Sequence, residues 1–88
     1  MPTRERMRVL TTRGQRWMDL DDEAATVVAR HWNAVRRFLE TGEEQPLLDL
    51  SPYRIGGQRL ETDPMVIYAL GHRGELNFDD LYGEGGEW

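Results

Sequence analysis

Apolar side chains recur at Ala24, Val28, Trp32, Val35 and Leu39, with Phe38 beside the last. The steps are 4, 4, 3 and 4 residues, the period of an α-helix with one buried stripe. Thr26, Arg30, Asn33, Arg37 and Glu40 fall on the opposite face. Upstream, Asp19-Leu20-Asp21-Asp22-Glu23 supplies a capping acceptor and carboxylates for the positive end of the helix dipole. Downstream, Gly42 stands where a left-handed residue closes a helix. The helix is therefore expected to run from this acidic start to about Thr41. Arg36 and Arg37 in its last turns suit the negative end of the dipole. In a chain of 88 residues a helix this long is the scaffold on which everything else must pack.

The flanks read as short strands and turns. In residues 7–18, Met7, Val9 and Thr11 alternate with Arg8 and Thr12, and Arg13-Gly14 is a turn signal. This predicts a β-hairpin, although Leu10 breaks the alternation. An extended arm that orders only on a partner is the competing reading. After the helix, Glu43-Glu44-Gln45-Pro46 reads as a linker and Leu47-Leu48-Asp49-Leu50 as apolar anchors. Tyr53-Arg54-Ile55 and Gln58-Arg59-Leu60 flank the hairpin dipeptide Gly56-Gly57. No Gly-x-Gly-x-x-Gly or Gly-Lys-Ser/Thr pattern surrounds that dipeptide, which argues against a phosphate-cradling loop there. Asp63 as N-cap and Pro64 as first helical residue predict a second helix over about 64–73, with Ile67 and Leu70 facing inward. Gly71 weakens this helix and Gly74 ends it. Leu76-Asn77-Phe78 alternates and is expected to form a short strand, with Leu81 or Tyr82 tucked against the core.

The expected fold is α+β: one long amphipathic helix packed on a small antiparallel sheet of short hairpins, plus a short second helix. Residues 1–82 form the expected single domain, with 1–6 as a candidate disordered arm and 83–88 as a flexible acidic, Gly-rich tail. The length allows one modest core.

All 11 basic residues are arginine, against 16 acids, for a formal charge of −5. Cysteine is absent, which excludes disulfide scaffolds, thiol enzymes and cysteine-ligated zinc modules. The charge is uneven. Residues 1–37 hold eight Arg and five acids, a net of +3, while residues 38–88 hold three Arg and eleven acids, a net of −8. An arginine surface for phosphate, nucleic acid or an acidic partner is one reading. Partial neutralisation of one half by the other across a small fold is the simpler one. The longest apolar run, Met65 to Leu70, is far too short to span a bilayer. The charged start, Met1 to Arg6, leads into no apolar segment, so no signal peptide is expected and a cytoplasmic location is.

Candidate chemistry is sparse. His31 is expected to be a packing histidine on the helix flank, and His72 a helix-end cation. Asp19, Asp21 and Glu23 have the spacing of the first calcium-loop positions. Ala24 and Arg30 stand where such a loop needs glycine and glutamate, so no metal is expected. Ser51 lacks a nucleophile setting. No catalytic residue and no cofactor are assigned, and the chain is not expected to be an enzyme. Arg30, Asn33 and Arg37 on the outer helix face, with Tyr82 and Trp88 near the C-terminus, are the candidate contacts for a protein partner. For nucleic acid the candidates are Arg4, Arg6, Arg8, Arg13 and Arg16. No helix-turn-helix pair accompanies them.

The segments Ala29–Val35, Phe38–Gly42, Ile55-Gly56-Gly57, Leu60–Pro64 and Gly74–Tyr82 together resemble small uncharacterised accessory proteins of high-GC actinobacteria and their phages or integrated mobile elements. Exclusive use of arginine, whose codons are GC-rich, suits such a genome. The resemblance covers about two-thirds of the chain and carries no functional residue across. It implies a small accessory protein and no activity. The expected function is a non-catalytic protein–protein interaction or regulatory module, monomeric or homodimeric, with a nucleic-acid-binding regulator as the alternative.

Overall fold

The computed structural model describes residues 4–83. The chain begins with strand β1 (Glu5–Thr11), which pairs antiparallel with β2 (Gly14–Leu20). Glu5 and Arg6 thus belong to the hairpin and not to an arm. Thr12 and Arg13 make the turn, and neither has positive φ. The left-handed angle falls instead on Gly14 (φ 109°), as in a loop that closes with a glycine bulge. The Thr11 hydroxyl locks this turn: Oγ1 accepts from Arg13 N at 3.1 Å and donates to Gly14 O at 2.7 Å.

Helix α1 (Asp22–Thr41) follows at once. Asp21 is its N-cap and accepts from Ala24 N at 2.9 Å, and Gly42 (φ 80°) closes it through its N–H to Phe38 O. The expected polar face is exposed throughout. The buried stripe is wider than the period-based expectation: Ala25, Val28, His31, Trp32, Ala34 and Val35. Ala24 and Leu39 are only half-buried. The widening has a packing cause, because α1 contacts β1 and β2 and also the two later helices.

The expected linker is partly helical. Gln45–Leu48 forms the single turn α2, with Pro46 in its first turn, and buries Leu47 against the core. Strands β3 (Arg54–Ile55) and β4 (Gln58–Arg59) form the second hairpin across Gly56 (φ 59°) and Gly57 (φ 81°), the two positive angles that a type I′ turn needs. Helix α3 (Pro64–His72) starts at Asp63, whose carboxylate accepts from Met65 N at 2.9 Å. Gly71 has a packing role. A Cβ there would lie 3.0 Å from Leu39 Cδ2, so the missing side chain lets α3 approach α1.

The architecture is α+β: a long helix on a β-hairpin, with a second small hairpin and short extra helices. The first hairpin strand is its centre. Met7, Arg8, Val9, Leu10 and Thr11 are all buried, so β1 is covered on both faces and Leu10 no longer conflicts with a strand. Its edge away from β2 is covered too. Arg8 N donates to Leu81 O at 2.8 Å and Gly83 N to Arg6 O at 2.7 Å. Glu61 N donates to Leu10 O and Thr12 N to Arg59 O, both at 3.0 Å. Two isolated bridges, Met7 with Tyr82 and Thr11 with Leu60, therefore cap an edge that would otherwise template foreign strands.

Residues 75–80 cover the Arg8 face of the hairpin without forming the strand expected at Leu76–Phe78. Their backbone carbonyls turn toward side chains of the hairpin. The Arg8 guanidinium donates to Asn77 O through Nη2 and to Asp80 O through Nη1, and Gln15 Nε2 donates to Glu75 O at 2.9 Å. Aromatic rings complete the column. Arg8 Cζ lies 5.2 Å from the Trp32 ring centre and 5.8 Å from that of Trp17. Phe78 meets Trp32 edge-on at 5.7 Å, and Arg36 stands 5.3 Å over Phe78.

Only 8% of the Arg8 surface is exposed. Desolvation pushes its pKa down from the ordinary arginine value, and the Asp80 carboxylate at 3.5 Å pushes it back up. A guanidinium is so strong a base that the group stays charged despite this shift. Lysine cannot offer two coplanar donors and a flat face at once. Replacing Arg8→Lys is therefore expected to cost roughly 2–4 kcal/mol. That would lower the thermal midpoint by on the order of 10–20 °C in circular dichroism melts. A midpoint within about 3 °C of the parent protein would show that the column does not hold the fold.

Candidate functional site

The helix period does bring Arg30, Asn33 and Arg37 together. They border an open hollow of about 290 Å³ between α1 and α2, floored by Ala34, Pro46 and Leu50. Ala34 is buried there, and its small side chain leaves room for α2 to approach. Arg37 is committed to Glu43, with Nη2 at 2.8 Å and Nε at 3.0 Å from Oε1. Hydrogen bonding to that carboxylate holds its pKa above the ordinary value. Tyr82 is not part of this hollow: it is exposed on the edge of β1, where its backbone bridges Met7. Trp88 lies outside the described residues.

The five N-terminal arginines do not share one surface. Arg8 is enclosed, with its donors directed at carbonyls. Arg6 pairs with Asp19 at 3.3 Å, its cross-strand neighbour. Arg4 borders a cleft that also includes Asp19, Asp21 and Arg54. Arg16 is exposed, opposite Val9 in the register. Arg13, on the first hairpin turn, meets Arg54 and Arg59 of the second hairpin instead, around an open cleft of about 350 Å³. That grouping joins residues more than 40 positions apart, so no local pattern announces it.

A second surface is apolar. Helix α3 buries only Ile67 fully, while Met65 is 76% and Tyr68 58% exposed, and Val66 is exposed as well. Tyr68 stacks on His72, with ring centres 6.0 Å apart and planes 12° apart. Both rings line a groove of about 430 Å³ with Phe38, Leu39 and Gly71. The sequence does hold a signal for this surface. Pro64-Met65-Val66-Ile67-Tyr68-Ala69-Leu70 is apolar all round, and a short helix at the rim of a small fold cannot bury every side.

The acidic stretch before α1 is occupied by structural tasks: Asp21 caps the helix and Asp19 pairs with Arg6. Among the described residues, no group of three or more His, Asp or Glu could hold a metal ion. Also among them, no helix is long and apolar enough to cross a membrane. No family model, curated protein or solved structure matches the chain.

His31 is fully buried, as a packing histidine should be. Its Nε2 lies 2.6 Å from Glu61 O. A carbonyl can only accept, so Nε2 carries the hydrogen and Nδ1 holds a lone pair. Nδ1 is buried with no partner. Burial pushes the pKa below the ordinary histidine value, against a smaller upward effect of the Glu61 bond. The unfolded chain therefore binds the proton more readily than the folded one. The stability from neutral His31 is complete above about pH 6.5 and is lost as pH falls below it, at up to about 1.4 kcal/mol per pH unit. Urea midpoints at pH 7.0 and 5.5 should differ accordingly in the parent protein. His31→Gln, which keeps a donor for Glu61 O, should show a flatter dependence. Parallel declines in the two proteins would remove His31 as the cause.

Proposed function

We propose that the chain is a small non-catalytic interaction module that docks a protein partner through the outer face of α3. The observation that carries this reading is the exposure of Met65 and Tyr68, one turn apart on α3, with Tyr68 lining the groove of Phe38, Leu39 and Gly71. Scattered exposed apolar residues are ordinary, but adjoining ones over a groove are the usual sign of a binding surface. Aromatic and methionine side chains supply much of the contact energy at such surfaces. Arg30 and Asn33 offer a separate polar contact face on α1, and Tyr82 a third exposed point. An accessory or regulatory role in a phage or mobile element fits a module of this kind. Nucleic-acid binding through the N-terminal arginines has less support, because Arg8 is enclosed and Arg6 is paired.

The double variant Met65→Asp, Tyr68→Asp tests the proposal. Both side chains are exposed, so the fold should change by no more than about 0.5 kcal/mol per site. Native mass spectrometry of the tagged protein purified from its own host should show a complex for the parent and not for the variant. A parent protein that stays monomeric and alone, or a variant that keeps its partner, would sink the reading.

A further inference from the structure

We infer that the cleft between the two hairpin turns is a discrete site for one phosphate group, held by Arg13, Arg54 and Arg59. The three guanidinium side chains come from three different segments and border one cleft, with Thr12, Gly57 and Gln58 between them. Backbone contacts fix their relation. Thr12 N donates to Arg59 O at 3.0 Å, and Thr11 bridges Leu60, so the first turn is tied to β4. Arg54 and Arg59 stand directly opposite each other in the β3–β4 ladder.

Like charges opposed across two strands are destabilising, and Arg13 adds a third. In a chain with 16 acids, neutralising partners are not scarce. Yet among the described residues none of the three is in an ion pair. The nearby carboxylates are engaged elsewhere. Arg54 also borders the cleft of Asp19 and Asp21, but Asp19 is held by Arg6 and Asp21 by the first turn of α1. What remains is a cluster of positive charge, and planar guanidinium donors suit the oxygens of a phosphate. Gln58 lines the same cleft, and a glutamine amide can donate to a phosphate oxygen. The cluster is local. The pairing of Arg6 and the enclosure of Arg8 break any longer track along the hairpin, which favours one phosphate over a nucleic-acid backbone.

The test uses the intact chain, titrated with inorganic phosphate and, separately, with a nucleoside monophosphate, in chloride buffer at constant ionic strength. Saturable binding of either ligand supports the site, and the stronger of the two distinguishes free from esterified phosphate. Binding should raise the thermal midpoint by at least about 4 °C at saturation. Arg54→Gln and Arg59→Gln should each weaken binding about tenfold or more. They should leave the midpoint in chloride unchanged or higher, because a repulsion is removed. Arg30→Gln, outside the cleft, should bind as the parent does. Three results overturn the inference: no saturation by about 10 mM of either ligand, equal losses in Arg30→Gln, or binding only to an oligonucleotide with affinity that grows with its length.

Discussion

The guanidinium of Arg8 joins the two ends of the chain. It reaches from the fourth residue of β1 to carbonyls more than 65 residues away, and it does so while stacked against Trp32 and near Trp17. A buried charge is tolerated only where its donors and its counter-charge are both supplied. Here Asn77 O, Asp80 O and the Asp80 carboxylate supply them at the two Nη groups, while Nε is buried without a partner. Residues 75–80 have no ladder of their own, so these bonds, the Gln15 bond to Glu75 O and the packing of Leu76 and Phe78 hold them over the hairpin. Without that cover, the Arg8–Leu10 face of β1 would meet water and the core would lose one wall. A chain with no lysine is suited to this solution, because each of its cations is flat and can stack while it donates.

The same logic runs through α1. A two-stranded hairpin is marginal by itself, and its free edge is a hazard. Two neighbouring ring N–H groups of the long helix reduce both problems. Trp32 Nε1 donates to Arg8 O at 2.8 Å, and His31 Nε2 to Glu61 O. One helical turn thus grips β1 itself and also the segment that caps its edge. Both donors are buried, where a lost partner would leave an unsatisfied carbonyl at a cost of about 1–3 kcal/mol. This placement ties helix, sheet and edge cover into one cooperative unit.

What was legible in the sequence follows from the range of each interaction. The span of α1, its acidic start and Gly42 cap, the Gly56-Gly57 turn and the Asp63-Pro64 start are all local, and local chemistry predicts them. The outward placement of Arg30, Asn33 and Arg37 follows from the helix period alone. Leu76–Phe78 misled because alternation is also what a loop shows when every second side chain packs down. Leu10 breaks the alternation without breaking the hairpin, because a strand buried on both faces has no alternation to read. Arg8 looked like its neighbours Arg4 and Arg6, since nothing in the local pattern reveals that residues 77–80 return to cover it. The convergence of Arg13 with Arg54 and Arg59 is hidden in the same way. The exposed α3 face was readable in principle, from a helix apolar on all sides at the rim of a small domain.

Net charge is a poor guide to the field at any one place on this molecule. Two of its ion pairs, Arg8 with Asp80 and Arg37 with Glu43, join the basic front half to the acidic back half. Others close within a half, as Arg6–Asp19 and Arg73–Glu75 do. Further carboxylates cap helices at Asp21 and Asp63. The acids thus engaged are fixed by fold geometry and cannot move to neutralise distant arginines. At the hairpin turns three arginines are drawn together by backbone bonds that are indifferent to charge. A protein with a formal charge of −5 can therefore present a locally positive cleft. Within about a Debye length of that cleft, an anion responds to the three nearest guanidinium groups more than to the sum over the chain.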